Sequence, residues 1–271
     1  LEPKESDFVQ IAVIILIFLT GLVFGSFFNV VICRVPEKKS IIKPRSACPS
    51  CGSVLLPKDL IPVLSFLFQK GKCRYCKCPI SLQYPIVELA AGLMFIAIYL
   101  KYGISPEFFF LCYLMSILLI VFFIDLKHMI IPNGLVLAGI AGGLVFFAIR
   151  FFYTDTIIVG EQWYSPLLGI AVVSGFLLLI AVIGMVIYGQ DAMGMGDVKI
   201  FVPIALFLGF KLSVLALLIT IFSGGLTGLF LILTKLKKRK SQIPFGPFIV
   251  IGTFISLMFG NNIIEWYLGK L

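Results

Sequence analysis

Residues 106–128 read PEFFFLCYLMSILLIVFFIDLKH, and from Phe108 to Ile124 the chain carries no charge. At 1.5 Å per residue such a run makes about 25 Å of helix, close to the ~30 Å hydrocarbon thickness of a bilayer. Its ends are polar, with Glu107 on one side and Asp125 and Lys127 on the other. Working outward, comparable apolar runs fall at about 8–33, 85–101, 131–152, 164–188, 198–210, 212–234 and 244–267. The breaks coincide with Gly103, Pro106, Pro132, Pro166, Gly189 to Gly196 and Pro244, residue types that punctuate helices. The fold class is therefore an all-α polytopic membrane protein with about eight transmembrane helices. The sixth run is short for a full crossing, which calls for tilt, shielding by protein or a close join to the seventh.

Composition agrees. The 271 residues are 60% hydrophobic and 13% charged, with a mean hydropathy of +1.11, which excludes an ordinary soluble domain. A net charge of +9 raises nucleic acid as a partner, but Lys and Arg are concentrated in loops beside apolar runs. There they set orientation and meet anionic membrane lipid, so no nucleic-acid partner is expected. The first run is preceded by Glu2, Glu5 and Asp7 rather than a basic segment, and reads as a retained span, not a cleaved signal.

Polarity divides the chain into a first transmembrane helix (1–33), a polar cysteine-bearing segment (34–84) and a membrane domain (85–271). Placing 34–84 in the cytoplasm puts seventeen of the 22 basic residues on that side and leaves Lys4, Lys101, Arg150, Lys211 and Lys270 on the other. The positive-inside rule favours this orientation, with both termini extracytoplasmic. No internal repeat of the kind used by inverted-repeat transporters is visible.

Within 34–84, Cys48-Pro-Ser-Cys51 and Cys73-Arg-Tyr-Cys76 are separated by twenty-one residues. Two C-x-x-C pairs at this separation match a tetrahedral, ribbon-type structural Zn site, which would staple a segment too small to build its own core. Simple reduced cysteines or redox pairs are the alternative, and Cys78 could replace Cys76 as a ligand. Cys33 and Cys112 lie in or beside spans and read as packing residues.

Asp125 closes the third run and Asp197 opens the sixth, in Gly194-Met-Gly-Asp197, both at cytoplasmic ends in this topology. Two carboxyl groups held together share a proton, so that one acts as acid while the other activates water for attack on a peptide carbonyl. Gly194 and Gly196 would allow unusual backbone angles and close approach to Asp197. The plain reading makes Asp197 a helix cap and Asp125 an interfacial residue. A rival function is an ion-coupled secondary transporter using Asp125 and Asp197 as cation or proton sites, though such sites usually lie near the midplane. His128, the single histidine, reads as a solvated or capping group, and Asp191 as a loop carboxylate. Glu88, near the start of the second span, needs a partner or a substrate to offset its burial. Gly21 and Gly25 form a small-residue packing face beside Ser26 and Asn29.

Five ordered stretches resemble the prepilin peptidases, membrane aspartyl proteases with a Gly-x-Gly-Asp motif. They are Gly25-Ser-Phe-Phe-Asn29-Val-Val with Arg34 and Pro36, the Asp59–Ser65 string DLIPVLS, Tyr84-Pro-Ile-Val-Glu88, GMGD at 194–197, and IPFGP at 243–247. Asn133, Asp191 and Gln83 depart from residues common in that family, and none is a presumed catalytic carboxylate. Presenilin-type proteases share GxGD, but their Pro-Ala-Leu motif is absent. The resemblance implies a bacterial cytoplasmic (inner) membrane enzyme that cleaves type IV prepilin or pseudopilin leaders after Gly, with Asp125 and Asp197 catalytic. It also implies N-methylation of the new terminus with S-adenosylmethionine, a step for which the sequence offers no G-x-G-x-x-G signature. Segment 34–84 is the expected contributor to that second step.

Overall fold

The computed structural model describes residues 5–152, 162–188, 194–236 and 243–269. Among them it is mostly helical, with two isolated antiparallel bridges and no sheet. Seven helices are long and apolar enough to cross a membrane. The chain forms two compact units, residues 1–108 and 109–271.

In the first unit α1 (Glu5–Arg34) and α3 (Gln83–Tyr102) lie side by side in opposite directions. The small-residue face makes this possible. A Cβ on Gly21 would stand 2.7 Å from the Gly92 Cα, and one on Gly25 2.6 Å from the Glu88 Cα. One turn further, Asn29 is buried and its Nδ2 donates to the Tyr84 carbonyl at 3.1 Å. Backbone approach and interhelical hydrogen bonds of this kind hold helices together where lipid supplies no hydrophobic drive. Between the two helices the regular structure is a 3₁₀ turn (Pro57–Asp59) and the single-turn α2 (Leu64–Phe68).

The second unit is built on α4 (Pro106–His128, whose first turn belongs to the first unit), α5 (Asn133–Phe152), α6 (Ser165–Gly169), α7 (Gly175–Tyr188), α8 (Met195–Leu233) and α9 (Gly246–Leu268). A π-helical turn, Ile170–Ser174, joins α6 to α7 into one span. As a straight rod the 39 residues of α8 would be about 58 Å long, nearly twice the bilayer core. It is not straight. Gly209 has φ 75° and ψ −175°, a conformation essentially reserved for glycine.

Neighbouring contacts show that the chain turns back there. From Asn133 onward α5 runs alongside the first arm, with Asn133 at Lys199, Gly139 against Pro203 and Gly143 against Leu206. Along the second arm α9 runs in the opposite sense, with Ser256 bonded to the Leu212 carbonyl, Gly252 against Thr220 and Phe248 against Gly224. Gly246, which opens α9, in turn touches Asp125 at the end where α5 and the first arm begin. Ser165 accepts the Phe210 N–H at 2.8 Å and satisfies an amide released by the break. The sixth and seventh runs of the sequence are thus the two arms of α8. The first arm, about 20 Å long, is shielded by protein, with Ile200, Phe201, Ile204 and Phe207 fully buried.

Candidate active site

Asp125 stands in the last turn of α4 and is buried. Its Oδ2 accepts the Gly246 N–H at 2.8 Å. That amide lies in the first turn of α9 and has no acceptor within its own helix. A Cβ at position 246 would come within 2.8 Å of Oδ2 and 2.9 Å of the Asp125 Cβ, so a glycine is what lets the helix end reach the carboxylate.

Asp197 lies in the first turn of α8, half-buried, its N–H bonded to the Gly194 carbonyl at 3.0 Å. Gly194 is extended (φ −65°, ψ 128°) and Gly196 is inside the helix, so neither uses a conformation closed to other residues. Space explains them better. A Cβ on Gly196 would sit 2.9 Å from the Ile131 Cβ, and one on Gly194 3.2 Å from Asp197 Oδ2.

The segment after Asp125 therefore meets the segment around Asp197. Met129, at φ 54°, ends α4 and donates its N–H to the Asp125 carbonyl at 2.9 Å, turning the chain toward Ile131. Lys199 Nζ then reaches Asn133 Oδ1 at 3.4 Å, so the helix ends that carry Asp125 and Asp197 adjoin. Both sit at helix ends, where the first turns of α8 and α9 present positive dipole. His128 is exposed, and Asp191 lies outside the described residues. A single proton on such a pair would leave one carboxyl group protonated and the other ionised. One carboxylate can then take a proton from water while the protonated partner polarises a carbonyl.

The four cysteines of the two C-x-x-C pairs form a second centre, in the first unit. Their Sγ atoms all lie within 4.8 Å of one another, and Cys48 to Cys76 measures 3.8 Å. Four thiolates about 2.3 Å from one tetrahedral ion would be about 3.8 Å apart. Each pair sits on a knuckle of the same design. Cys48 N–H bonds the Ser53 carbonyl and Gly52 N–H the Cys48 carbonyl; Cys73 and Lys77 repeat this with Cys78 and Cys73. The residue after each pair, Gly52 or Lys77, has positive φ. Ser53, through its side chain and backbone, draws the Cys51 thiol down to about 6. The Cys78 backbone favours the Cys76 thiolate, yet burial and the hydrogen-bonded thiols of Cys51, Cys78 and Cys73 push it up to about 12. Protons on such a cluster are shared, and a cation displaces them together.

Asp59 connects this centre to the rest of the segment. Its carboxylate accepts from Leu56 N–H at 3.2 Å, Arg74 Nε at 2.7 Å and the Tyr75 hydroxyl at 3.1 Å, and Arg74 and Tyr75 are the two residues inside the second knuckle. Cys33 is half-buried beside the Tyr84 hydroxyl and Cys112 is buried. Sequence reasoning assigns no role to Gly246 or Asp59 beyond the strings that contain them. The only signal was that each is placed in an otherwise apolar or Pro-containing stretch.

Helices of membrane length, paired carboxyl groups at helix ends and a four-thiol knuckle segment define a multi-span membrane protein of the GxGD aspartyl protease kind. The chain belongs to the type IV leader peptidase family: that family's profile matches residues 112–229, and the bacterial peptidase A24 N-terminal domain matches residues 19–102. It is 39% identical over 253 residues to the prepilin leader peptidase/N-methyltransferase of Bacillus subtilis (strain 168), covering 93% of this chain and 97% of that one. To the protein of the same name from Aeromonas salmonicida (strain A449) it is 32% identical, over 94% of each chain. To that from Myxococcus xanthus (strain DK1622) it is 36% identical, over 81% of this chain and 63% of the relative. No solved structure matches. Nothing in these relatives supports the transporter reading.

Proposed function

We propose that the chain is an aspartyl endopeptidase of the bacterial inner membrane that cleaves leaders of type IV prepilins or pseudopilins after Gly at the cytoplasmic face, and that it N-methylates the new terminus. The names of its relatives supply both activities. The observation that carries the peptidase half is the placement of Asp125 and Asp197 on adjoining helix ends, with the Gly246 N–H fixing one carboxylate oxygen. In this reading the pair holds one proton. The ionised carboxylate activates water, the protonated one donates to the scissile carbonyl, and the proton passes on to the leaving amine.

The four cysteines suit structural Zn by donor type and by spacing, and they would hold it with no open position for chemistry. S-adenosylmethionine, when bound, supplies the methyl group. The cysteine-bearing unit is the natural place for that step, because the carboxylate pair is in the other. Substrates of this class keep an apolar helix in the bilayer, so a basic leader gains nothing from the basic 34–84 segment, and recognition rests on helix packing and on the carboxylates.

The test is cleavage of a Gly-containing pilin leader by purified protein in detergent. Asp125→Asn and Asp197→Asn should each lower the rate by orders of magnitude, because an amide neither shares the proton nor activates water. Zinc content and thermal unfolding should stay as in the wild type, and Asp191→Asn should cleave normally. Full cleavage by Asp197→Asn would overturn the mechanism.

A further inference from the structure

Asp59–Ser65, DLIPVLS, contains a backbone conformation that its sequence does not favour. Val63 has φ 60° and ψ −50°, and the Leu64 N–H bonds the Pro62 carbonyl at 2.6 Å. This is the positive-φ γ-turn, rare and strained, and a β-branched residue is the least suited to it. Such a turn persists only where its surroundings hold it from several sides. Upstream, Asp59 is tied to Arg74 and Tyr75 of the second knuckle. At the turn itself, Val63 N–H donates to Glu88 Oε2 at 2.7 Å. Glu88 is 6% exposed, also hydrogen-bonded to Ser26, and sits in the second turn of α3 against Gly25 of α1. A carboxylate is thus buried at a helix crossing, and the distant group it holds is the amide of a strained corner.

The position of that corner matters for the methyl-transfer half of the function proposed above, on which this inference rests. Glu88 is the sixth residue of a membrane-length helix, about 8 Å from its start, so Val63 is held near the bilayer boundary. A substrate whose apolar helix remains in the bilayer presents its new amino terminus at that boundary after cleavage. Ile61 and Leu64, on either side of the turn, are 48% and 50% exposed and offer an apolar seat there. We propose that Glu88 is a positioning residue for methyl transfer: it holds Val63 in the γ-turn and so sets Ile61 and Leu64 where the apolar end of the cleaved substrate rests. In the transfer the substrate's N–C bond forms as the donor's S–C bond breaks, and a proton leaves the amine to water. Glu88 takes no part in these bonds, since it is occupied by Val63 and Ser26.

The experiment measures methylation of an already cleaved peptide by the full chain, leader cleavage by the same preparations, and hydrogen exchange at the Val63 amide. Glu88→Ala should release the Val63 amide to exchange and lower methylation kcat/KM roughly ten- to a hundredfold, mainly through KM, while cleavage continues. Glu88→Gln retains an oxygen that can accept the Val63 N–H, and should keep most of the methylation. Glycine adopts the turn without strain, so adding Val63→Gly to Glu88→Ala should restore part of the activity. Loss of methylation in Glu88→Gln with the Val63 amide still protected would make Glu88 a chemical participant and overturn the proposal. So would unchanged methylation in Glu88→Ala, or absence of rescue by Val63→Gly. A wild type that cleaves but does not methylate would overturn the methyl-transfer reading itself, and the exchange data would still report separately whether Glu88 holds the turn.

Discussion

Asp125 lies 121 positions before the amide that holds its carboxylate, and this separation decides what a sequence can say about the residue. Its place at the end of an apolar run, and that of Asp197 at the start of another, were legible because charge stands out against 60% hydrophobic composition. The contact with Gly246 was not, since no periodicity links the end of α4 to the start of α9. Gly246→Ala puts this contact to the test. The added methyl would fall within 3.0 Å of three Asp125 atoms on a rigid helix end, so the carboxylate must move. Displacement of about 1 Å at a reacting group costs on the order of a hundredfold. Cleavage should fall by that order while the protein stays folded. Gly134→Ala, where the Cβ would meet nothing within 4 Å, should leave cleavage unchanged.

At the level of elements, hydropathy located the helices, but it could not show how α8 folds. Mean hydropathy registers apolar length, not the conformation of one glycine, so the reversal at Gly209 showed in the sequence only as an unusually short sixth run. Gly209→Ala should cost about 1–3 kcal/mol, because φ 75° with ψ −175° is closed to a residue with a Cβ. A lowered thermal midpoint in detergent would show it, and an unchanged one would mean that the break is made elsewhere. The knuckles were legible from spacing alone, whereas the link from Arg74 and Tyr75 to Asp59 was not. Changing Cys48 and Cys51 to Ser should remove the metal and make the 57–68 segment protease-sensitive, with the membrane helices intact. Burial opposes the charge on Asp59, but the Leu56 N–H, the Tyr75 hydroxyl and Arg74 outweigh it and hold the group below the usual carboxylate range. A group so depressed contributes stability above its unfolded value, about 4, that is lost as pH falls through the folded one. The difference in proteolysis between wild type and Asp59→Asn should accordingly be full at pH 7 and vanish in strong acid.

For the whole molecule, the decisive question is the number of crossings. The division at 33 and 84 follows polarity alone, while packing pairs α1 with α3 across that polar segment. Among the described residues seven helices have membrane length, and seven single crossings would place the two ends of the chain on opposite sides. If the turn at Gly209 makes α8 enter and leave on one face, the count becomes even and both ends are expected on one side. The positive-inside rule independently predicts that side. With 34–84 inside, the positive-inside rule expects the basic positions 127, 199 and 235–240 of the sequence inside too, and with them Asp125 and Asp197 at the cytoplasmic face. A protease site placed at 38–40 and tags fused to either end of the chain would test both arguments at once. In right-side-out vesicles both tags should be cleaved from outside and the internal site protected, with the reverse in inverted vesicles. Tags on opposite sides would mean that α8 crosses once. Tags together on the inside would mean that the basic segments face outward and that the carboxylate pair cannot work at the cytoplasmic surface.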